Sequence, residues 1–147
     1  MYKEKKQKFP LKMAIEVYKS EFSRVLADPD KRLVIQEWFP KSRYMTDEDF
    51  KNEIMALTEK GSRQFWPKKV LVLQREFKFI VSPELQTWAA QNSGSVLESV
   101  KTEKIAFVLA DDIFVKVSVE QTMGEKPDTF IQIKYFDNEE DARKWLF

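Results

Sequence analysis

The sequence predicts an α/β fold: a mixed, mostly parallel sheet of four to five strands with helices on its faces and an N-terminal β-hairpin. Three observations lead there. Two apolar runs within 20–39 are split by Asp28-Pro29-Asp30-Lys31, a turn-forming set because Pro fixes φ and Asp bonds nearby backbone N–H groups. The continuous apolar run at 70–73 reads as a strand covered on both faces, which is typical of parallel sheets. Segments of helical spacing separate the later runs, and regular alternation of strand and helix implies crossovers between parallel strands.

Taken in order, the hairpin carries Phe22, Val25 and Leu26 on one arm and Leu33, Val34, Ile35 and Trp38 on the other. In "TDEDFKNEIMALTEKGSRQF", Thr46 followed by Asp49 makes a variant capping box, and the acids of the first turn suit the helix dipole. Phe50, Ile54 and Leu57 recur at i, i+4 and i+7, an amphipathic stripe. Pro67 breaks the chain before the strand in "KKVLVLQREF". Ser82-Pro83 then opens a second helix, with Pro at the first helical position, where its missing N–H costs nothing. Leu85, Trp88 and Ala89 supply its buried face, Asn92-Ser93-Gly94 interrupts it, and Val96, Leu97 and Val100 begin a further turn. "KIAFVLA" (104–110) and "TFIQIKYF" (129–136) are the remaining strands, and "DNEEDARKWL" is a closing helix capped by Asp137 or Asn138. The segment 111–123 reads two ways: Val115, Val117 and Val119 alternate as in a strand, whereas Asp111-Asp112 and the need for a crossover favour a helix.

Composition narrows the chemistry. The 147 residues suit one domain, divided here into a basic, partly flexible segment at 1–17 and a single folded unit at 18–147. With 25 basic and 24 acidic residues the net charge is +1, so no global field favours nucleic acid. Lys3, Lys5, Lys6 and Lys8 form the only local basic candidate, read as a solvated tail. The absence of Cys removes disulfides, thiolate nucleophiles and Cys-based metal sites, and the absence of His removes Ser-His pairs and the usual neutral-pH base. No window approaches the roughly 20 apolar residues of a membrane span, and the lysines are not followed by an apolar signal core. A cytoplasmic protein with no cofactor, no metal and no catalytic residue is expected.

The residues "FKFIVSPELQTW" (77–88), "SVEQTM" (118–123) and "YFDNEEDARKWL" (135–146) give the chain a family likeness. It resembles the STAS-like proteins, with the anti-sigma-factor-antagonist fold, and in particular the small bacterial proteins grouped as STAS and CRAL-TRIO-type lipid-transfer domains. The likeness covers 18–147. It implies a layered α/β domain, a helix at 111–123, and a non-enzymatic role in signalling or protein binding. Some members of the wider fold are switched by phosphorylation at a helix mouth, and Ser82 is the nearest counterpart. The Asp-Ser-Ser-Gly-like turn of the regulatory members is not found here, and Glu84 would repel an added phosphate.

The candidate binding residues are Arg75, Phe77, Lys78 and Phe79 in "REFKF", with Ser82 beyond them and Arg43 and Tyr44 in the connection before the first helix. Such connections lie at the carboxyl end of the sheet, where open α/β sheets bind ligands. The aromatics have three readings: lining of an apolar pocket, a partner-facing patch, or rings folded back over the core. Ser82 is a helix cap first, then a ligand contact or phosphoacceptor. Lys41, Ser42, Arg43 and Arg75 form a positive rim that Asp111 and Asp112 offset, and Glu120 stands without a nucleophile to serve. Two functions follow: a protein-interaction domain, with a homodimer among its arrangements, or a carrier of an apolar small molecule with a cavity beneath the 75–82 loop.

Overall fold

The computed structural model describes residues 14–114, 116 and 130–147. The lysines at 3, 5, 6 and 8, and Val115, Val117, Val119, Glu120 and Gln121, lie outside the described residues, as does the run 118–123. Six strands form one sheet in sequence order: β1 (Ile15–Lys19), β2 (Ser23–Asp28), β3 (Leu33–Trp38), β4 (Lys69–Gln74), β5 (Lys104–Leu109) and β6 (Gln132–Phe136). β1/β2 and β2/β3 pair antiparallel, while β3/β4, β4/β5 and β5/β6 pair parallel. The sheet therefore has one or two strands more than the four to five expected from sequence. β1 is the addition, and it starts at Ile15, short of the boundary at 17/18 read from the sequence. Its signal is weak because both faces of this edge strand are at least partly exposed, so no apolar run marks it.

Each turn and cap has a local cause. Between β2 and β3 the Asp28 carboxylate accepts the Lys31 N–H at 3.3 Å, Arg32 N donates to Pro29 O at 3.1 Å, and Arg32 takes a left-handed φ of 52°. Helix α1 (Asp47–Ala56) opens with a full capping box: Asp49 N–H donates to Thr46 Oγ1 at 3.1 Å and Thr46 N–H to Asp49 Oδ2 at 2.9 Å. It runs on through a wider π-type turn (Leu57–Ser62) to Arg63–Phe65. Gly61 sits in that turn against the sheet, where a Cβ would come within 3.1 Å of Val34 and 3.3 Å of Val25.

Helix α2 (Pro83–Ala89) does not stop at Asn92-Ser93-Gly94 as the sequence suggested. It widens into a π-type turn (Ala90–Gly94) and continues to Ser95–Ser99. Gly94 holds an ordinary helical φ of −61°, so the glycine leaves the helix intact here. The helix ends where Lys101 turns left-handed at φ 65° and Thr102 N–H reaches back to Leu97 O at 2.9 Å. After β5, residues 111–114 and 116 are helical, and Phe114 N–H donates to Ala110 O at 2.8 Å. Asn138, rather than Asp137, caps α3 (Glu139–Leu146) by accepting the Asp141 N–H at 2.8 Å.

The sheet carries a core on each face. Because side chains alternate along a strand, Val70 and Val72 of β4 look one way and Leu71 the other. Val70, Val72, Trp38 and Ile105 pack with Phe50 of α1 and Leu85 and Leu97 of the α2 segment. Leu71, Leu33, Ile35, Ala106 and Val108 pack with Ala142 and Leu146 of α3. The α1 and α2 crossover segments thus share one face, and the closing helix holds the other.

Candidate functional site

On the crossover face the sheet and α2 do not meet everywhere. A cavity of about 590 Å³ lies between them, within the usual 300–1,000 Å³ of small-molecule sites. Register makes its floor. Gln36 pairs with Val72, Val72 with Phe107 and Phe107 with Tyr135, so these four form one row across β3, β4, β5 and β6. Trp38 and Gln74 extend the floor toward the carboxyl edge, and Val70, Ile105 and Ile133 toward the amino edge. Phe50, Ile54 and Leu57 of the α1 segment close one side, and Gln86, Ala89, Ala90, Ser93, Gly94 and Leu97 of the α2 segment form the roof. The phase switch that the π-type turn introduces keeps Ala90, Ser93 and Gly94 over the floor. These are small side chains, which leave the space open.

The loop 75–82 covers the carboxyl end. Phe77 meets Trp38 edge-to-face with centroids 4.7 Å apart, and Phe79 stacks on Phe50 at 5.5 Å. The rings thus fold back over the core, and Phe77 also lines the cavity. Ser42, fully buried in the turn after β3 (Pro40–Tyr44), pins this loop: its hydroxyl accepts the Lys78 N–H at 2.9 Å and lies 3.3 Å from Glu76 O as donor. A cleft at the sheet edge adjoins the cavity along Gln74, Phe77, Val81 and Gln86, and is bordered outside by Arg75, Lys78, Phe79, Asp112 and Ile113.

Of the candidates read from sequence, Arg75, Phe77, Lys78 and Phe79 therefore come together around that cleft. Arg75 is committed to structure: its guanidinium donates to Leu109 O at 3.2 Å and to Asp137 O, and faces Asp111 at 3.5 Å, tying three connections at the carboxyl edge. Replacing Arg75 by Met is expected to lower stability by about 1–2 kcal/mol, since two carbonyls lose a charged donor at a half-exposed site. Urea unfolding checks this, and an unchanged midpoint would contradict the tie. Ser82 caps α2 by accepting the Leu85 N–H at 3.2 Å. Arg43 and Tyr44 are exposed and border neither the cavity nor the cleft. The positive rim is reduced further because Lys41 faces Glu21 at 3.8 Å. Among the described residues no cluster of three or more acidic side chains is placed to hold a metal ion, and no helix is long and apolar enough to cross a membrane.

No protein-family model, curated protein or solved structure matches this chain. Its chemistry rests on its own residues. The cavity floor holds two polar groups that sequence reading passed over: Gln36, 1% exposed, and Trp38, 2% exposed. Neither the Gln36 Nε2 nor the Trp38 Nε1 has a hydrogen-bond partner among the described residues. A buried donor without a partner costs about 1–3 kcal/mol, so two on one face of the same strand stand out. The signal lay in "LVIQEW", where a glutamine interrupts an apolar strand in the same phase as Val34 and Trp38.

Tyr135 ends the same row, stacked on Phe107 at 5.3 Å, and burial pushes its hydroxyl above the ordinary 10.0. Tyr18 of β1 is raised too, first by burial and then by its hydrogen bond to Glu53 and that carboxylate's charge, with Ser20 opposing. In both, folding favours the protonated phenol, so their stabilisation is fully present below pH 10.0 and is lost as pH rises through the folded values. Urea midpoints are expected to fall above about pH 10. Replacing both tyrosines by Phe should flatten that fall, and an equally steep fall in the double variant would rule these groups out.

Proposed function

We propose that this protein binds a small apolar molecule in the cavity between the sheet and α2, without catalysing a reaction on it. The observation that carries this reading is the cavity itself: about 590 Å³, floored by Val70, Val72, Ile105, Phe107 and Ile133 and bordered by no charged side chain among the described residues. The space is half open to its surroundings, a groove in which an apolar molecule can bury much of its surface. A space of this size among apolar side chains is what a carrier requires. The adjoining cleft under the 75–82 loop supplies a route in and out. This reading agrees with the lipid-transfer side of the STAS-like resemblance, which we retain as part of the proposal together with a bacterial, cytoplasmic setting.

The competing reading is the protein-interaction domain. Ile80 favours it, standing 89% exposed on the loop beside Lys78. One experiment separates the two. Protein purified from its native cell is extracted with organic solvent and the extract read by mass spectrometry. A carrier yields an apolar compound in near-equal amount to protein, and Val72→Phe, which puts a ring into the middle of the floor, loses it while remaining folded. No extractable compound, with a stoichiometric protein partner or a second copy of the chain on the same column, supports the interaction domain.

A further inference from the structure

We propose that the amino edge of the sheet docks on the surface of an anionic lipid bilayer, through a rim of cations and half-exposed apolar side chains. None of the rim residues lines the cavity, and the proposal does not depend on the carrier reading. Backbone strain marks the place. Arg32, Trp66 and Lys101 hold left-handed φ values of 52°, 47° and 65°, which glycine adopts freely and larger residues only at a cost. Each stands within three residues of the start of β3, β4 or β5, and because these strands run parallel all three lie on one edge. Trp66 and Lys101 close the α1 and α2 segments in the turn usually given to glycine. Hydrogen bonds join these turns into one surface: Arg32 Nη2 donates to Trp66 O at 3.0 Å, Lys68 N–H to Arg32 O at 2.9 Å and Glu103 N–H to Lys68 O at 2.8 Å.

Cations and apolar groups stand together on that surface. Lys31, Arg32 and Lys101 are exposed, with Lys68 and Lys69 half-buried beside them. The acids of these turns are Asp30 and Glu103. Lys69 faces Glu103 at 3.7 Å, whereas Lys31, Lys68 and Lys101 pair with no carboxylate among the described residues. A cation at a helix C-terminus is ordinary, which explains Lys101 but neither Lys31 nor Lys68. Among them Trp66 is 57% exposed, Phe147 58% and Ile15 49%. Ile15 belongs to this edge because β1 and β3 both pair antiparallel with β2, and Lys3, Lys5, Lys6 and Lys8 precede it in the chain. Asp111, Asp112, Asp137 and Glu139 follow β5 and β6 at the opposite edge. The near-neutral chain is thus polarised along its strands, and a negative surface meets it amino edge first. Two observations favour a bilayer over a single-stranded nucleic acid, whose bases stack on aromatics. The Lys31 and Lys69 ammonium groups already lie over the Phe147 ring, 5.6 and 5.9 Å from its centroid, where a base would stack. Ile15 offers a base no ring, whereas a bilayer interface takes up Ile, Phe and Trp alike while its anionic headgroups attract the lysines.

The test floats the full chain with vesicles of phosphatidylcholine, either pure or carrying a minority of phosphatidylserine. Binding is expected to be at least about tenfold tighter to the phosphatidylserine vesicles and to weaken steeply between about 0.1 M and about 0.5 M salt, as screening shortens the reach of the lysines. Lys68→Gln combined with Lys101→Gln is expected to weaken it about thirtyfold. Trp66→Gly removes the indole and supplies the residue its backbone conformation favours, so binding should weaken about tenfold while the urea midpoint holds. The lysine pair decides the matter if Trp66→Gly unfolds. Equal binding by the parent and these variants overturns the inference, as when the lysines before Ile15 act alone. It is overturned as well by no binding to either vesicle, by equal binding to both, or by tighter binding to a labelled oligothymidylate than to the phosphatidylserine vesicles.

Discussion

Replacing Glu53 by Ala is expected to lower stability by about 3–4 kcal/mol, roughly 10 °C in midpoint for a chain of this size. Glu53 lies on α1 and is only 3% exposed. Its carboxylate accepts three hydroxyls: Ser23 at 2.6 Å, Tyr18 at 2.8 Å and Ser20 at 2.9 Å. These donors come from β1, the following turn and β2, so one side chain fastens the β1–β2 pair to the first crossover helix. Among the described residues no Lys or Arg pairs with Glu53, and the hydroxyls make its burial tolerable. Truncation leaves three hydroxyls facing a void. Glu53→Gln keeps one accepting oxygen and the volume, and should lose less than half as much. Urea unfolding of the two variants checks this, and an alanine cost below about 1 kcal/mol would mean that water takes over the carboxylate's place.

The second large effect belongs to Leu71→Ala, with an expected cost of about 3–5 kcal/mol. Leu71 is fully buried on β4, with β3 and β5 on either side and α3 above it. Neighbours on two sides are fixed by strand pairing and the third side is closed by α3, so little can collapse into the space left behind. Leu71 also faces away from the cavity, so the remaining folded protein should bind an apolar probe as well as the parent. Denaturant midpoints and Nile red titration of the same sample read both quantities. Loss of probe binding without loss of stability would reverse the assignment of the two faces.

The pair Leu71 and Val72 marks where sequence reasoning stops. "KVLVLQ" identifies a strand buried on both faces, and so it is. Nothing in an all-apolar run distinguishes the residue under α3 from the one under the cavity, because both phases carry the same kind of side chain. Caps are the opposite case. Thr46, Ser82 and Asn138 each bond an N–H three residues on, and such contacts need only local chain. Asn92-Ser93-Gly94 was misread because glycine and polar residues usually break a helix, whereas here the continuing contacts of Val96 and Leu97 hold the helix through a widened turn.

The candidate site divides in the same way. "REFKF" was legible as a ligand-edge loop, yet Arg75 proved a structural tie and Phe79 a lid over Phe50, because their partners lie at Leu109, Asp137 and Phe50, far along the chain. Sequence by itself determined the fold class, the turn after Asp28, the helix starts and the exclusion of His- and Cys-based chemistry, all of which depend on residue type and near neighbours. Only tertiary structure decided that Gln36, Trp38 and Tyr135 share one apolar space. Strand register across the sheet put them in neighbouring rows of one face, and register is a property of pairs of segments, which no single stretch of chain contains.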